Sequence, residues 1–212
     1  MLSNNSTASS LEEQHTSTFS AIEDVIKTRR TIKRFLPQAV PRQLLASLLD
    51  VAVWAPNHKL TEPWRFYVLD GKSRVRVGEI AADITRAKAK PQARPEDVEA
   101  GAAQVRKTWS EVPTLLYVTT LPDENPEIDE ENYGAVCCAI QNFMLLAHAA
   151  GLATSWSSGA VAQSPELRRF VGAQETEHMV GLIRVGYPDL EAQQPVSTRT
   201  DATTFTMWVD GV

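Results

Sequence analysis

Four cations fall within six residues at Arg29-Arg30-Thr31-Ile32-Lys33-Arg34, in a 212-residue chain whose net charge is −5. Such a cluster repels itself unless it is solvated or has an anion to hold. Arginine presents a planar fork of donors that fits phosphate two bonds at a time, lysine adds a compact charge, and Thr31 adds a hydroxyl donor. The bland alternative is that Arg29 and Arg30 only end a helix, where cations meet the negative end of its dipole. Positive charge is local in an acidic chain. It therefore suits a small anionic ligand and argues against nucleic acid, which wants a broadly basic face.

Other routes to chemistry are missing from the sequence. It contains no G-x-G-x-x-G, no G-x-x-x-x-G-K-[ST], no C-x-x-C, no H-E-x-x-H and no G-x-S-x-G. A Rossmann dinucleotide site, a P-loop, a zinc site and a serine-hydrolase elbow thus have no support. The four histidines (His15, His58, His148, His178) are scattered, which leaves a metal centre without ligands at useful spacing. The two cysteines, Cys137 and Cys138, are adjacent and cannot form a disulfide framework; they read as small buried side chains in a reducing compartment. An enzyme with this inventory leaves its hard chemistry to a bound cofactor.

The elements that must position the basic segment follow from capping and periodicity. Ser20-Ala21-Ile22-Glu23 forms a capping box, so a helix is expected over 21–29. Residues 1–18, rich in Ser, Thr and Asn, are expected to be a disordered leader ahead of a single domain over 19–212. Pro41 opens a second helix. Residues 64–69 and 114–120 read as strands, the latter fully buried. Helical signals at both ends of 72–109 flank a Pro-punctuated middle, and this region is a candidate lid. An acidic loop is expected over 122–130, then a long apolar helix over 132–150, a loop over 151–159, a short helix from Ser164-Pro165 and a strand over 179–186. The tail, 193–212, has little periodicity and needs another surface to pack on, such as a partner subunit. No segment has the apolar length of a signal peptide or a bilayer span, so a cytoplasmic protein with no membrane partner is expected.

Three segments then resemble the FMN-dependent nitroreductase family, in order: Arg29 to Phe35, Ala55 to Phe66 (APNHKLTEPWRF), and Gly151 to Gly159 (GLATSWSSG). The resemblance implies an α+β fold, with a mixed sheet flanked by helices in an intertwined homodimer that holds FMN at the subunit interface. It implies NADH or NADPH as hydride donor, and a nitroaromatic, quinone or similar small molecule as electron acceptor in a ping-pong cycle. Carried over residue by residue, Arg29, Arg30 and Thr31 would take the phosphate and ribityl chain. Lys33 would face the pyrimidine edge and tune the flavin. Trp54 and His58 would approach the flavin of the other subunit, whereas their bland readings are a core residue at a helix end and a surface histidine. Trp156, Ser157, Ser158 and Gly159 would line the dimethylbenzene side, and Arg199 would add a phosphate contact from the tail. No side chain is required as nucleophile or general base. Thr31 replaces the family's usual Ser, and Glu62 stands where Gln is common. Same-fold alternatives are dehalogenation, dehydrogenation or flavin breakdown; a non-catalytic flavin-binding protein is the alternative of another class.

Overall fold

The computed structural model describes residues 5–189, 191 and 196–209, with side chains from residue 15 onward. Its elements run α1 (Asn5–Thr28), α2 (Arg42–Ala52), a 3-10 turn (His58–Leu60), β1 (Trp64–Leu69), α3 (Lys72–Ala87), α4 (Pro95–Ser110), β2 (Thr114–Thr120), α5 (Pro126–Ala149), β3 (Ala153–Ser157), α6 (Pro165–Val171), β4 (His178–Gly186) and a second 3-10 turn (Ala202–Thr204). The sheet has the order β1-β2-β4-β3, and its three strand pairings are antiparallel. The parallel component is one bridge between Thr31 and Thr154, which lays the basic segment along the free side of β3.

Side-chain alternation along β2 divides the core into two layers, as pleating requires. Leu116 and Val118 face α2 and α5, where Leu45, Leu48, Val136, Ile140 and Phe143 pack. Leu115 and Tyr117 face the layer of α3, α4 and α6, with Val77, Ile80, Trp109 and Leu167. Every residue of β2 is buried, as its uninterrupted apolar run requires.

Several expectations change. Helix α1 begins at Asn5, so the Ser20 capping box lies inside it and residues 5–18 are helical; residues 1–4 lie outside the described residues. The acidic loop is shorter than expected. Pro126 occupies the first turn of α5, Asn125 accepts from the Glu127 N–H as N-cap, and Glu127 and Asp129 complement the helix dipole. Residues 153–157 form β3 where a loop was expected. Cys138 is exposed, whereas Cys137 is half-buried and packs against the α2–α5 layer of the core, so neither is fully buried. Residues 193–195 and 210–212 of the tail lie outside the described residues, and 196–209 are largely exposed.

The candidate lid is instead a helical hairpin built into the core. α3 and α4 bury Val77, Ile80, Ala81, Ala102 and Trp109, and their close crossing depends on Gly78. A Cβ there would stand 2.6 Å from the Arg106 carbonyl oxygen and would overlap the Ser110 side chain. Gly78→Ala gains about 1 kcal/mol in helix propensity, but the overlap forces the helices apart. A net loss of about 1–3 kcal/mol is expected from overpacking, and urea unfolding of the variant measures it.

Candidate active site

Helix α1 ends at Thr28, and the two arginines that follow separate in role. Arg30 turns back: its Nη1 donates to the Lys27 carbonyl at 2.6 Å and to the Arg29 carbonyl at 2.9 Å. It caps the helix, as the bland reading holds. Arg29 does not. Its Nη1 is buried without a hydrogen-bond partner among the described residues. Burial first, and then the like charges of Arg30 and Arg199, pull its pKa below the ordinary arginine value. The tail thus brings Arg199 into the field of Arg29, and three cations meet.

Arg29 and Arg30 line a cavity of about 560 Å³ with His148, Leu152, Thr154 and Pro188 among others, a size typical of small-molecule sites. Among the described residues, none that lines it is acidic. The Thr154 hydroxyl is also buried and unpartnered. Leaving two such groups orphaned costs about 1–3 kcal/mol each, and a phosphate seated here would offset that cost. The residues fit an anionic ligand group.

Backbone pairing fixes the rest of the segment. The Ile32 N–H donates to the Thr154 carbonyl at 3.1 Å, and the Leu36 N–H donates to the Tyr187 carbonyl at 2.9 Å. Thr31 is exposed beside β3. Lys33 opens into a second cavity of about 460 Å³, shared with Phe35, Gln104, Lys107 and Asp189. Sequence reasoning missed Gln104 and Lys107, which present an amide and a cation three residues apart on one face of α4. Their helical spacing was readable; their meeting with residue 33 was not.

The third segment sits on β3 and the turn after it. Trp156 donates from Nε1 to the Val180 carbonyl at 3.1 Å and packs over Gly181, so its half-buried side chain is anchored to the core. Ser157 is half-buried. The carbonyls of Ser158 and Gly159 accept from Gln163. A Cβ built on Gly159 meets nothing within 4 Å, so no contact within this chain requires glycine there.

The second segment lies elsewhere. Trp54, at the end of α2, is 84% exposed, which overturns its reading as a core residue. His58 Nδ1 lies 2.6 Å from a Glu131 carboxylate oxygen, and Thr61 donates to Asn132 at 2.5 Å. Lys59, Leu60 and Glu62 all hold positive φ, at 56°, 52° and 46°, which is unusual for side-chain-bearing residues. Asn57 Oδ1 secures the turn by accepting from the Glu62 N–H at 2.8 Å. This group touches the start of α5, whereas Thr28 touches His148 at its end. Positions 131 and 148 are about 25 Å apart along the axis, at about 1.5 Å per residue. Within one chain, therefore, the structure brings together Arg29, Arg30, Arg199 and the β3 edge, but not Trp54 and His58.

Outside both cavities, the buried carboxylate Glu177 accepts from Tyr67 Oη at 2.8 Å, from the Gln174 N–H at 3.1 Å and from Thr119 Oγ1. Burial pushes this carboxyl up, but the donors and the charge of Arg65 together outweigh burial and hold it below the usual carboxylate value. Burial, with the bond to Glu177 and its charge, pushes the Tyr67 phenol up to about 12. Among the described residues, no helix is long and apolar enough to cross a membrane, and no cluster of potential ligands could hold a metal.

Comparison with known proteins identifies the family of the fold. The chain is 32% identical over 170 residues to YfhC of Bacillus subtilis (strain 168), a protein provisionally named an NAD(P)H nitroreductase; the match covers 80% of this chain and 86% of YfhC. A nitroreductase-like family protein from Bacillus cereus superposes with a TM-score of 0.76 at 29% identity, over 90% of this chain and 96% of that one. The FMN-dependent nitroreductase NfnB from Mycobacterium smegmatis, solved with NADPH, shares the fold at a TM-score of 0.69 and 19% identity, over 91% of this chain and all (100%) of that one. The family model for nitroreductases matches residues 26–187, from the last turn of α1 to the end of β4, and on that span this chain belongs to the nitroreductase family.

Proposed function

We propose that the protein is an FMN-dependent NAD(P)H oxidoreductase that reduces nitroaromatics, quinones or similar acceptors at one site used by both substrates in turn. The observation that carries this reading is Arg29: a half-buried guanidinium with an orphaned nitrogen, beside two further cations, in a cavity where no described residue offers a carboxylate. Arg29 and Arg199 hold the flavin phosphate, with Thr31 on the ribityl side. In this reading Lys33, Lys107 and Gln104 serve the pyrimidine edge, from a cavity that Glu111 and Asp189 also line. The turn after β3 offers Ser157, Ser158 and Gly159 to the dimethylbenzene side. FMN, when bound, supplies hydride transfer between the nicotinamide donor and the acceptor. The family membership and the FMN-dependent relative support this assignment.

The site is completed by a second copy of the chain. Phe19, Ile22 and Ile26 form an exposed apolar stripe on α1, and Phe205, Met207, Trp208 and Val209 are exposed on the tail. Clusters of exposed large apolar side chains of this kind mark interaction surfaces. His58, held by Glu131 near the start of α5, and the exposed Trp54 lie apart from the arginine cluster of their own chain, and in this reading they serve the partner's flavin. A yellow protein that elutes as a dimer by light scattering, and bleaches on anaerobic mixing with NADH or NADPH, supports this reading. A colourless monomer would sink it.

Lys33→Ala is expected to retain FMN while slowing its reduction and lowering its potential. The charge acts mainly when the ring gains electrons, which is differential stabilisation of product and transition state. Stopped-flow reduction and potentiometric titration check this. Unchanged rate and potential in a flavin-loaded variant would remove Lys33 from the pyrimidine edge.

A further inference from the structure

His148, on the last turn of α5, lines the same cavity as Arg29 and Arg30. Its tautomer follows from the bonds around it. The Thr28 hydroxyl donates its one hydrogen to the Asp24 carbonyl at 2.7 Å. At 2.9 Å from His148 Nε2, Thr28 Oγ1 can therefore only accept, and the ring must donate from Nε2. The other ring nitrogen, Nδ1, has no partner among the described residues. A proton can be added there without breaking the Thr28 contact. The imidazole is thus anchored in either charge state, and the contact with Thr28 is indifferent to which one is present.

The charges facing the ring decide which form the site prefers. From α1 come Thr28 and Lys27, the latter paired with Glu23. From the following segment come Arg29 and Arg30, and from the tail Arg199, which acts on Arg29. β3 contributes the neutral Thr154. Asp189, next to the lining residue Pro188, is held by Arg34 at 3.0 Å. Among the described residues no carboxylate lines the cavity, so the ring faces no anion there until a ligand enters. With a phosphate dianion in place the same position favours the cation.

We propose that His148 is the pH-sensitive member of the phosphate site, taking up a proton on Nδ1 when the FMN phosphate enters the cavity beside Arg29. This rests on the FMN reading above. It makes cofactor retention pH-dependent: the protonated site binds FMN more tightly, so affinity falls as pH rises. The step is a proton transfer from solvent to the imidazole, with no other bond made or broken.

The test dilutes the yellow holoprotein and follows released FMN by its fluorescence between pH 7 and pH 9, above the range in which the free phosphate itself titrates. Wild type is expected to weaken by about threefold or more over that range, the effect of an opposite charge shifting a histidine by one unit. His148→Gln keeps a donor for Thr28 but cannot titrate, and should bind more weakly with no slope. His148→Lys carries its charge throughout the range, and should bind tightly with no slope. Calorimetry at pH 7.5 in buffers of different ionisation heat should show proton uptake with FMN in wild type, and none in His148→Gln or with riboflavin. The same pH slope in wild type and His148→Gln, with FMN bound by both, overturns the role of His148 alone. No FMN bound at any pH overturns this proposal together with the flavin reading beneath it.

Discussion

Arg29→Ala is expected to leave a folded protein that purifies pale. Losing a hydrogen-bonding partner of a charged group costs about 1.5–3 kcal/mol, or about ten- to a hundredfold in the dissociation constant for FMN. The structure sharpens this against the neighbouring arginine. Arg29 makes no hydrogen bond through its buried Nη1, so in the flavin-free protein its removal deletes an orphaned donor and relieves repulsion from Arg30 and Arg199. Thermal stability without flavin should hold or rise. Arg30→Ala should behave in the opposite sense. Its guanidinium satisfies two carbonyls at the end of α1, so the helix end loses about 0.5–1 kcal/mol while FMN affinity changes less. Flavin occupancy by absorbance and thermal melts of both flavin-free variants decide the matter. Full occupancy in Arg29→Ala would reduce the first segment to a helix end.

Glu177→Ala is expected to cost about 3 kcal/mol or more in stability, since it strands two hydroxyls and a backbone N–H at about 1–3 kcal/mol each. The carboxylate ties β1 to β2 through Tyr67 and Thr119 and fixes the turn before β4 through Gln174. Glu177→Gln keeps one carbonyl acceptor and should lose less. The pH dependence has a definite sign. The folded-state carboxyl titrates below its unfolded value of about 4.3, so the unfolded chain binds more protons in acid. This contribution is complete above the unfolded value and is lost as pH falls through the folded one. At the other end Tyr67, raised to about 12, contributes fully below its unfolded value of about 10 and loses that contribution as pH rises toward 12. Urea unfolding of wild type and Glu177→Gln at pH 7 and pH 4 tests this. Equal losses in acid for both proteins would show that the carboxylate carries no linkage.

The sequence determined several elements whose signals are local. The apolar run 114–120 could only be a buried strand, Ser164-Pro165 could only begin a helix, and the basic residues at 29–34 required an anion or solvent. Local signals also misled. The capping box at Ser20 is a sound helix start that the structure does not use, because α1 continues to Asn5. Pro126 reads as a breaker in an acidic loop until Asn125 caps the helix it opens. Residues 153–157 read as a loop because two serines and a threonine hide a strand whose order comes from pairing with β4.

The division of labour between Arg29 and Arg30 was beyond the sequence, since both follow the same helix and only three-dimensional placement shows which one caps it. The same holds for Thr154 and His148 at one cavity and for Gln104 and Lys107 at the other. These residues lie about seventy to a hundred and twenty positions from the basic segment. Contacts at that separation carry no periodic or capping signature, and only closure of the chain over the sheet creates them. Residue types and their spacing announced that an anion and a cofactor were wanted. Which groups hold them was decided by strand order β1-β2-β4-β3, which leaves one side of β3 free for residues 29–35 to lie against.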